Sequence, residues 1–212
     1  MRLHDYWRSG ASYRVRIALN LKNLHYEQVA HDLRTGAQAD PAYAVINPQR
    51  LVPALEMEGQ VLTQSLAIVE WLEERHPAPA LLPTDPDSRA IVRAMAGVIA
   101  SDIHPLNNLR VLVALRRDLD AGETRISAWI ARWIGEGFAA LETMIVRHGG
   151  AHAFGDAPGL VDCCLVPQLY SAERFAMPLD AFPRVVAAGA AARGLPAVAA
   201  AHPDRQPDAD AR

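Results

Sequence analysis

The order of short elements in roughly the first 80 residues constrains this chain more than any other feature. Arg2 to Tyr6 reads as a strand. Ser12 to Lys22 predicts a helix whose apolar face is Val15, Ile17, Ala18 and Leu21, with Arg14 and Arg16 largely off it. Tyr26 to Val29 is a second strand, and Pro41 to Ile46 a short helix that stops before Asn47-Pro48. Leu51 to Glu56 is a third strand with Pro53 near its start. Gly59-Gln60 turns it into Val61 to Thr63, as in a hairpin. A helix opens at Gln64-Ser65, is paced by Leu66, Ile68, Val69 and Leu72, and ends at His76-Pro77.

The resulting order, β-α-β-α-β-β-α, joins a parallel βαβ unit to an antiparallel hairpin and helix. That is the thioredoxin arrangement. The proline before its third strand is typically cis, which makes Val52-Pro53 the candidate bond. Pro77 to Asp87 holds four prolines and reads as a linker. Beyond it, candidate helices run from about Ser88 to Arg117, Glu123 to Arg147, Leu160 to Glu173 and Phe182 to Gly194, with no strand-like alternation. The expected division is an α/β thioredoxin-like domain at 1–78, an all-α domain at 87–202 and a disordered tail at 203–212, where Pro, Asp and Ala leave little to bury.

Composition excludes several functional classes. A formal net charge of −3 lacks the basic excess of a nucleic-acid binder. No apolar run approaches the roughly 18–20 residues that span a membrane. The start, Met1-Arg2-Leu3-His4-Asp5, has no apolar signal-peptide core. Cys163 and Cys164 are neighbours with nothing else to pair with, which fits a reducing, cytoplasmic compartment. No histidine–carboxylate spacing suits a metal, so none is expected.

Four features carry chemistry. Ser9-Gly10-Ala11-Ser12 lies between the first strand and first helix, where a dithiol redox protein places Cys-x-x-Cys. With serine at both ends, dithiol chemistry is unavailable. The helix N-terminus still favours a thiolate that a ligand brings in; alternatively Ser9 or Ser12 merely caps the helix. The residue before a cis proline exposes backbone groups that can pair with a peptide-like ligand, so Val52 is a candidate edge. Ser65 and Gln64, at the start of another helix, can take a carboxylate or simply form its cap. Asp102 to Arg110 puts polar groups into an apolar stretch. His104 and Asn108 share a face if the helix survives Pro105; a structural role for the histidine is the alternative. Arg8 and Arg174 could grip carboxylates bidentately if they share a cleft, or be solvated surface residues.

Trp7 to Leu19, WRSGASYRVRIAL, resembles the signature of the zeta-class glutathione transferases, roughly S-S-C-x-W-R-V-R-I-A-L. Asn47-Pro48, Leu51-Val52-Pro53-Ala54-Leu55, Gln64-Ser65-Leu66-Ala67-Ile68 and Glu70-Trp71-Leu72-Glu73-Glu74 follow in register. So do Asp102-Ile103-His104-Pro105, Asn108-Leu109-Arg110, Leu165-Val166-Pro167-Gln168 and Ala172-Glu173-Arg174-Phe175. The resemblance covers nearly the whole chain except the tail. It implies the cytosolic glutathione transferase architecture, a homodimer and glutathione as cofactor. The activity it implies is maleylacetoacetate isomerisation in tyrosine and phenylalanine breakdown. Maleylpyruvate isomerisation, general glutathione conjugation or peroxidase activity, and a non-catalytic binding module are the alternatives.

In that family the glutathione thiolate adds to an alkene carbon of the maleyl group, the resulting single bond rotates, and the thiolate leaves. The resemblance assigns thiolate activation to Ser9, with Ser12 as a second hydroxyl. It assigns glutathione contacts to Ser9, Gly10, Ala11, Gln38, the Val52 backbone, Gln64, Ser65, His104 and Asn108. The carboxylates of a small dicarboxylate keto acid fall to Arg8, Arg174 and Arg110. Two departures from the pattern involve three positions. The family's second serine and its cysteine fall on Gly10 and Ala11, and its usual Ser/Thr cap after Phe154-Gly155-Asp156 falls on Gly159, with Asp162 retained. A glycine cap costs only a few tenths of a kcal/mol.

Overall fold

Strand β1 (Arg2–Asp5) lies inside a four-stranded sheet of order β2-β1-β3-β4. It pairs in parallel with β2 (Glu27–Ala30), placing Leu3 opposite Gln28, and antiparallel with β3 (Ala54–Met57), placing Leu3 opposite Leu55. Strand β4 (Gln60–Thr63) completes the hairpin. Helix α1 (Gly10–Leu21) is the βαβ crossover, followed by α2 (Pro41–Ile46) and α3 (Ser65–Arg75). This computed structural model describes residues 1–210. Its first core packs Leu3, Val15, Ile17, Leu19, Leu55, Ile68 and Leu72, all without exposure. The Val52-Pro53 bond is cis, as is Ala78-Pro79, which the sequence did not announce.

Two local expectations need correction. Helix α1 starts at Gly10 and not at Ser12, because Ser9 is the cap: its Oγ accepts the Ser12 N–H at 3.3 Å. Arg14 and Arg16 are also inside the protein, not off its apolar face. Arg16 can be buried because every arm of its guanidinium is used. Nη1 donates to both Asp5 oxygens at 2.8 Å, Nη2 to the Trp7 carbonyl at 2.8 Å and Nε to the Ala201 carbonyl at 3.1 Å. Lys22 is likewise buried, on Glu73 at 2.8 Å and on the carbonyls of His76 and Pro79.

Residues 82–193 form a second unit that is mainly helical. Its first helix, α4 (Pro86–Gly97), begins inside the expected linker because Asp85 caps it through the Ser88 N–H. The single helix expected over 88–117 is broken. A π-helical segment, Val98–Ile103, and a 3-10 turn, Pro105–Asn107, precede α5 (Leu109–Asp118). Pro105 has no N–H to continue a ladder, and Asn108 is extended. Helix α6 (Glu123–His148) buries Ile126, Ile130, Ile134, Phe138, Leu141 and Ile145 along one stripe. Helix α7 (Leu160–Arg174) is buried for most of its length, and α8 (Pro183–Arg193) closes the unit.

The chain from Gly194 rejoins residues 1–81. Helix α9 (Pro196–Ala200) and a 3-10 turn at Pro203–Arg205 lead into an ordered segment. The expected disorder of 203–212 therefore fails for its described part; residues 211 and 212 lie outside the described residues. Composition suggested little to bury, yet Pro203 and Gln206 are buried. Gln206 is held through the Gln28 side chain and the carbonyls of Ala200 and His202.

Candidate active site

The turn between β1 and α1 brings the serine motif to a helix N-terminus. Ser9 N–H donates to the Tyr6 carbonyl at 2.9 Å, and the Ser9 carbonyl accepts from Tyr13 N–H at 2.8 Å. The Ser9 Oγ is an acceptor in its capping bond, which leaves its own O–H proton free to donate elsewhere. Capping and anion binding, which sequence posed as alternatives, are thus compatible in one hydroxyl. Gly10 and Ala11 form the first positions of α1, where N–H groups lack helical partners. Ser12 is fully buried, and its hydroxyl has no hydrogen-bond partner. Arg8 is half-buried and lies over the Trp7 ring, its guanidinium carbon 5.3 Å from the centroid.

The segment before the cis proline is held from behind. The Leu51 carbonyl accepts from the Tyr43 hydroxyl at 2.6 Å and from Asn47 Nδ2 at 2.7 Å. Burial pushes the Tyr43 pKa up to about 12, so this hydroxyl remains a donor at neutral pH. Val52 packs with Tyr6, Trp7 and Tyr43. No hydrogen bond holds its N–H or C=O among the described residues, so the edge expected of Val52 is open for pairing.

A third element is the start of α3. Gln64 has φ +68° and ψ 111°, a conformation rarely adopted by a non-glycine residue. Its side chain donates to Gln49 at 2.8 Å and does not cap the helix, so the first N–H groups of α3 stay open. Behind them Arg14 Nη1 donates to Ser65 Oγ at 2.6 Å. Ser65 therefore accepts from the arginine and keeps its own proton to donate. Sequence reasoning missed Arg14. Its one signal was its place in the signature, in the Tyr13-Arg14-Val15-Arg16 stretch that follows Ser9.

Gln38 lies in the 3-10 turn Ala37–Ala39, with its Oε1 buried and without a partner. The loop leading to it follows His31, whose ring packs 4.1 Å from Tyr43 and whose Nε2 is 3.0 Å from His4 Nδ1. Burial, then His4, lowers the His31 pKa.

The remaining candidates lie on the second unit. His104 and Asn108 do not share a helix face, since the Pro105–Asn107 turn separates them. Asn108 caps α5 by accepting the Arg110 N–H at 3.1 Å. Arg110 is exposed near the start of α5, and Arg174 ends α7 with its guanidinium 4.8 Å from the Phe175 ring centroid. Among the described residues no group of three or more His, Cys, Asp or Glu could hold a metal, and no helix is long and apolar enough to cross a membrane.

Residues 1–81 therefore carry three features: a helix-terminal hydroxyl with a free proton, an open backbone edge beside a cis proline, and a second helix start with a buried guanidinium. Residues 3–80 match the family described as glutathione S-transferase, N-terminal domain. A solved holo structure of a maleylpyruvate isomerase, described as a bacterial glutathione S-transferase of the zeta class, superposes with a TM-score of 0.97. It is 48% identical and covers 99% of this chain and 100% of its own. The chain belongs to the zeta class of glutathione transferases. The maleylacetoacetate isomerase of Pseudomonas aeruginosa is 50% identical to this zeta-class chain over the full length of both. The maleylacetoacetate isomerase of Methylobacterium extorquens, solved with malonate and glutathione bound, is 40% identical, with full coverage of both chains and a TM-score of 0.95.

Proposed function

We propose that this chain is a glutathione-dependent cis–trans isomerase acting on maleylacetoacetate. The observation that carries the reading is the pair of helix starts, Ser9 on α1 and Ser65 on α3, each with a hydroxyl proton left to donate. One suits a thiolate and the other a carboxylate. Bound glutathione supplies the nucleophilic thiolate that opens the alkene to rotation and is regenerated.

The chain's own groups do the rest. The Ser9 hydroxyl and the N–H groups at Gly10 and Ala11 hold the sulfur as an anion. Ser12 contributes its N–H to the Ser9 cap, while its buried hydroxyl plays no direct part. The Val52 backbone pairs with the ligand's peptide backbone. Gln38 turns its side-chain amide toward the ligand, and Gln64 and Ser65 receive a carboxylate. Arg8 anchors a substrate carboxylate, and the resemblance carries Arg110 and Arg174 into the same role and His104 and Asn108 toward glutathione. It also carries a homodimer and a cytoplasmic location.

The similarity to a maleylpyruvate isomerase gives the second reading, since the two substrates share the maleyl group. Purified protein should isomerise maleylacetoacetate faster than maleylpyruvate, only with glutathione present, and should conjugate a chloro-dinitrobenzene-type electrophile poorly. Isomerisation that persists unchanged without glutathione would sink the proposal; a preference for maleylpyruvate would select the second reading.

A further inference from the structure

We infer that the C-terminal segment 202–210 is a positioning element of the thiolate site, with Asp208 as its positioning residue. The inference rests on the reading that glutathione sits at Ser9. The segment crosses the two loops that carry proposed ligand contacts and bonds to each. Asp208 Oδ2 accepts the Trp7 N–H at 2.9 Å, two residues before Ser9. Asp210 accepts twice from Arg34 Nη1, at 2.8 and 2.9 Å, and Arg34 holds Asp32 at the base of the loop that carries Gln38. Between them Ala209 packs on the cluster of Tyr6, Trp7, Tyr43 and Val52.

The anchorage upstream is equally direct. Gln28 Nε2 bridges Asp5 and Gln206 at 2.9 Å each, and Arg16 joins Asp5, the Trp7 carbonyl and the Ala201 carbonyl. The Trp7 backbone is thus held at both of its polar groups, its carbonyl by Arg16 and its N–H by Asp208. A segment over 200 residues away in sequence fixes the direction in which the Ser9 turn leaves β1. Surface ion pairs contribute little by themselves, but a carboxylate on a backbone N–H is a charge-assisted bond with defined geometry.

The test separates position from charge. Asp208→Ala removes both the acceptor and a negative charge; Asp208→Asn removes the charge and keeps an oxygen acceptor. Loss of a nearby negative charge lowers the pKa of a bound thiol, whereas misplacing Ser9 raises it. Asp208→Ala should weaken glutathione binding about tenfold by calorimetry, the effect expected of one charge-assisted bond, and should raise the bound thiol pKa. Asp208→Asn should bind within about threefold of the parent, with a thiol pKa at or below the parent's. Amide exchange of the free protein gives a readout that needs no glutathione: Asp208→Ala should speed exchange at Ser9 to Ser12, and Asp210→Ala at Thr35 to Ala39, with α6 unchanged in both. Unchanged exchange at those sites, or a thiol pKa that falls in Asp208→Ala as in Asp208→Asn, overturns the inference. A parent protein that fails to bind glutathione while the exchange pattern holds instead overturns the proposed function.

Discussion

Arg14 reaches from α1 to the first residue of α3, where Nη1 meets Ser65 Oγ at 2.6 Å, with the side chain buried and Nε left without a partner. No carboxylate pairs with this guanidinium among the described residues. A buried cation without a counter-ion is costly unless an anion joins it. The open N–H groups of α3 and the free Ser65 proton point to where that anion binds.

Arg14→Met, close in volume, should therefore separate binding from stability. Glutathione affinity should fall by about tenfold, the loss typical of a hydrogen bond to a charged group. The melting temperature of the unliganded protein should stay level or rise, since an apolar replacement removes the desolvation cost. Calorimetry and thermal unfolding of the same samples check both halves.

Asp5 and Arg16 should behave in the opposite way. Their pair is buried on both sides, and each nitrogen of the Arg16 guanidinium donates to a carboxylate or carbonyl. Arg16→Ala should destabilise by about 3–5 kcal/mol, because it strands the Asp5 charge. At roughly 2–4 °C per kcal/mol for a chain of this size, the melting point should drop by about 10 °C. Arg16→Lys should recover little, since one ammonium cannot reach acceptors on β1, the following turn and Ala201 together. Denaturant unfolding monitored by tryptophan fluorescence measures it.

Most of the α/β unit was legible because its signals are local. Short runs between turn and helix signals gave the strands, Pro53 marked the third strand's start, and the serines marked two helix starts. Three features were not legible, each for a definite reason. Arg14 and Arg16 looked like surface residues because helical periodicity alone cannot tell a buried charge with a remote partner from a solvated one. The break before α5 was missed within a single expected helix over about 88–117, because the π segment before Pro105 has no distinct composition. The C-terminal segment looked disordered because its order comes from bonds to Trp7, Gln28 and Arg34, far away in sequence. Composition measures what a segment can bury by itself, not what it can be tied to.

His152 supplies a pH-dependent contact on the second unit. Its Nδ1 lies 3.6 Å from Asp162 Oδ1, and that carboxylate raises the histidine pKa above 6.5 despite an opposing push from burial. The folded state thus binds the proton more tightly than the unfolded chain. The stabilisation is full below the unfolded pKa and is lost as pH rises through the folded one. The melting-point gap between the parent and His152→Gln should be larger at about pH 6 than at about pH 8.5. His31, whose pKa is lowered, carries the opposite sign: the stability it contributes is present above 6.5 and lost as pH falls through its folded value. The gap for His31→Gln should shrink toward acid.

Ser9 allows its two duties to be separated. As the cap of α1 it accepts the Ser12 N–H; as the proposed thiolate partner it donates its own proton. Ser9→Ala removes both and should cost about 1 kcal/mol of stability as well as turnover. Ser9→Asp keeps a strong capping acceptor but offers no proton at neutral pH and sets a negative charge beside the sulfur. It should hold the melting point at the parent value while raising the bound thiol pKa beyond that of Ser9→Ala and lowering kcat further. If Ser9→Asp instead loses stability as Ser9→Ala does, the hydroxyl is not acting as the cap. If it keeps parental turnover, the Ser9 proton is not what holds the sulfur.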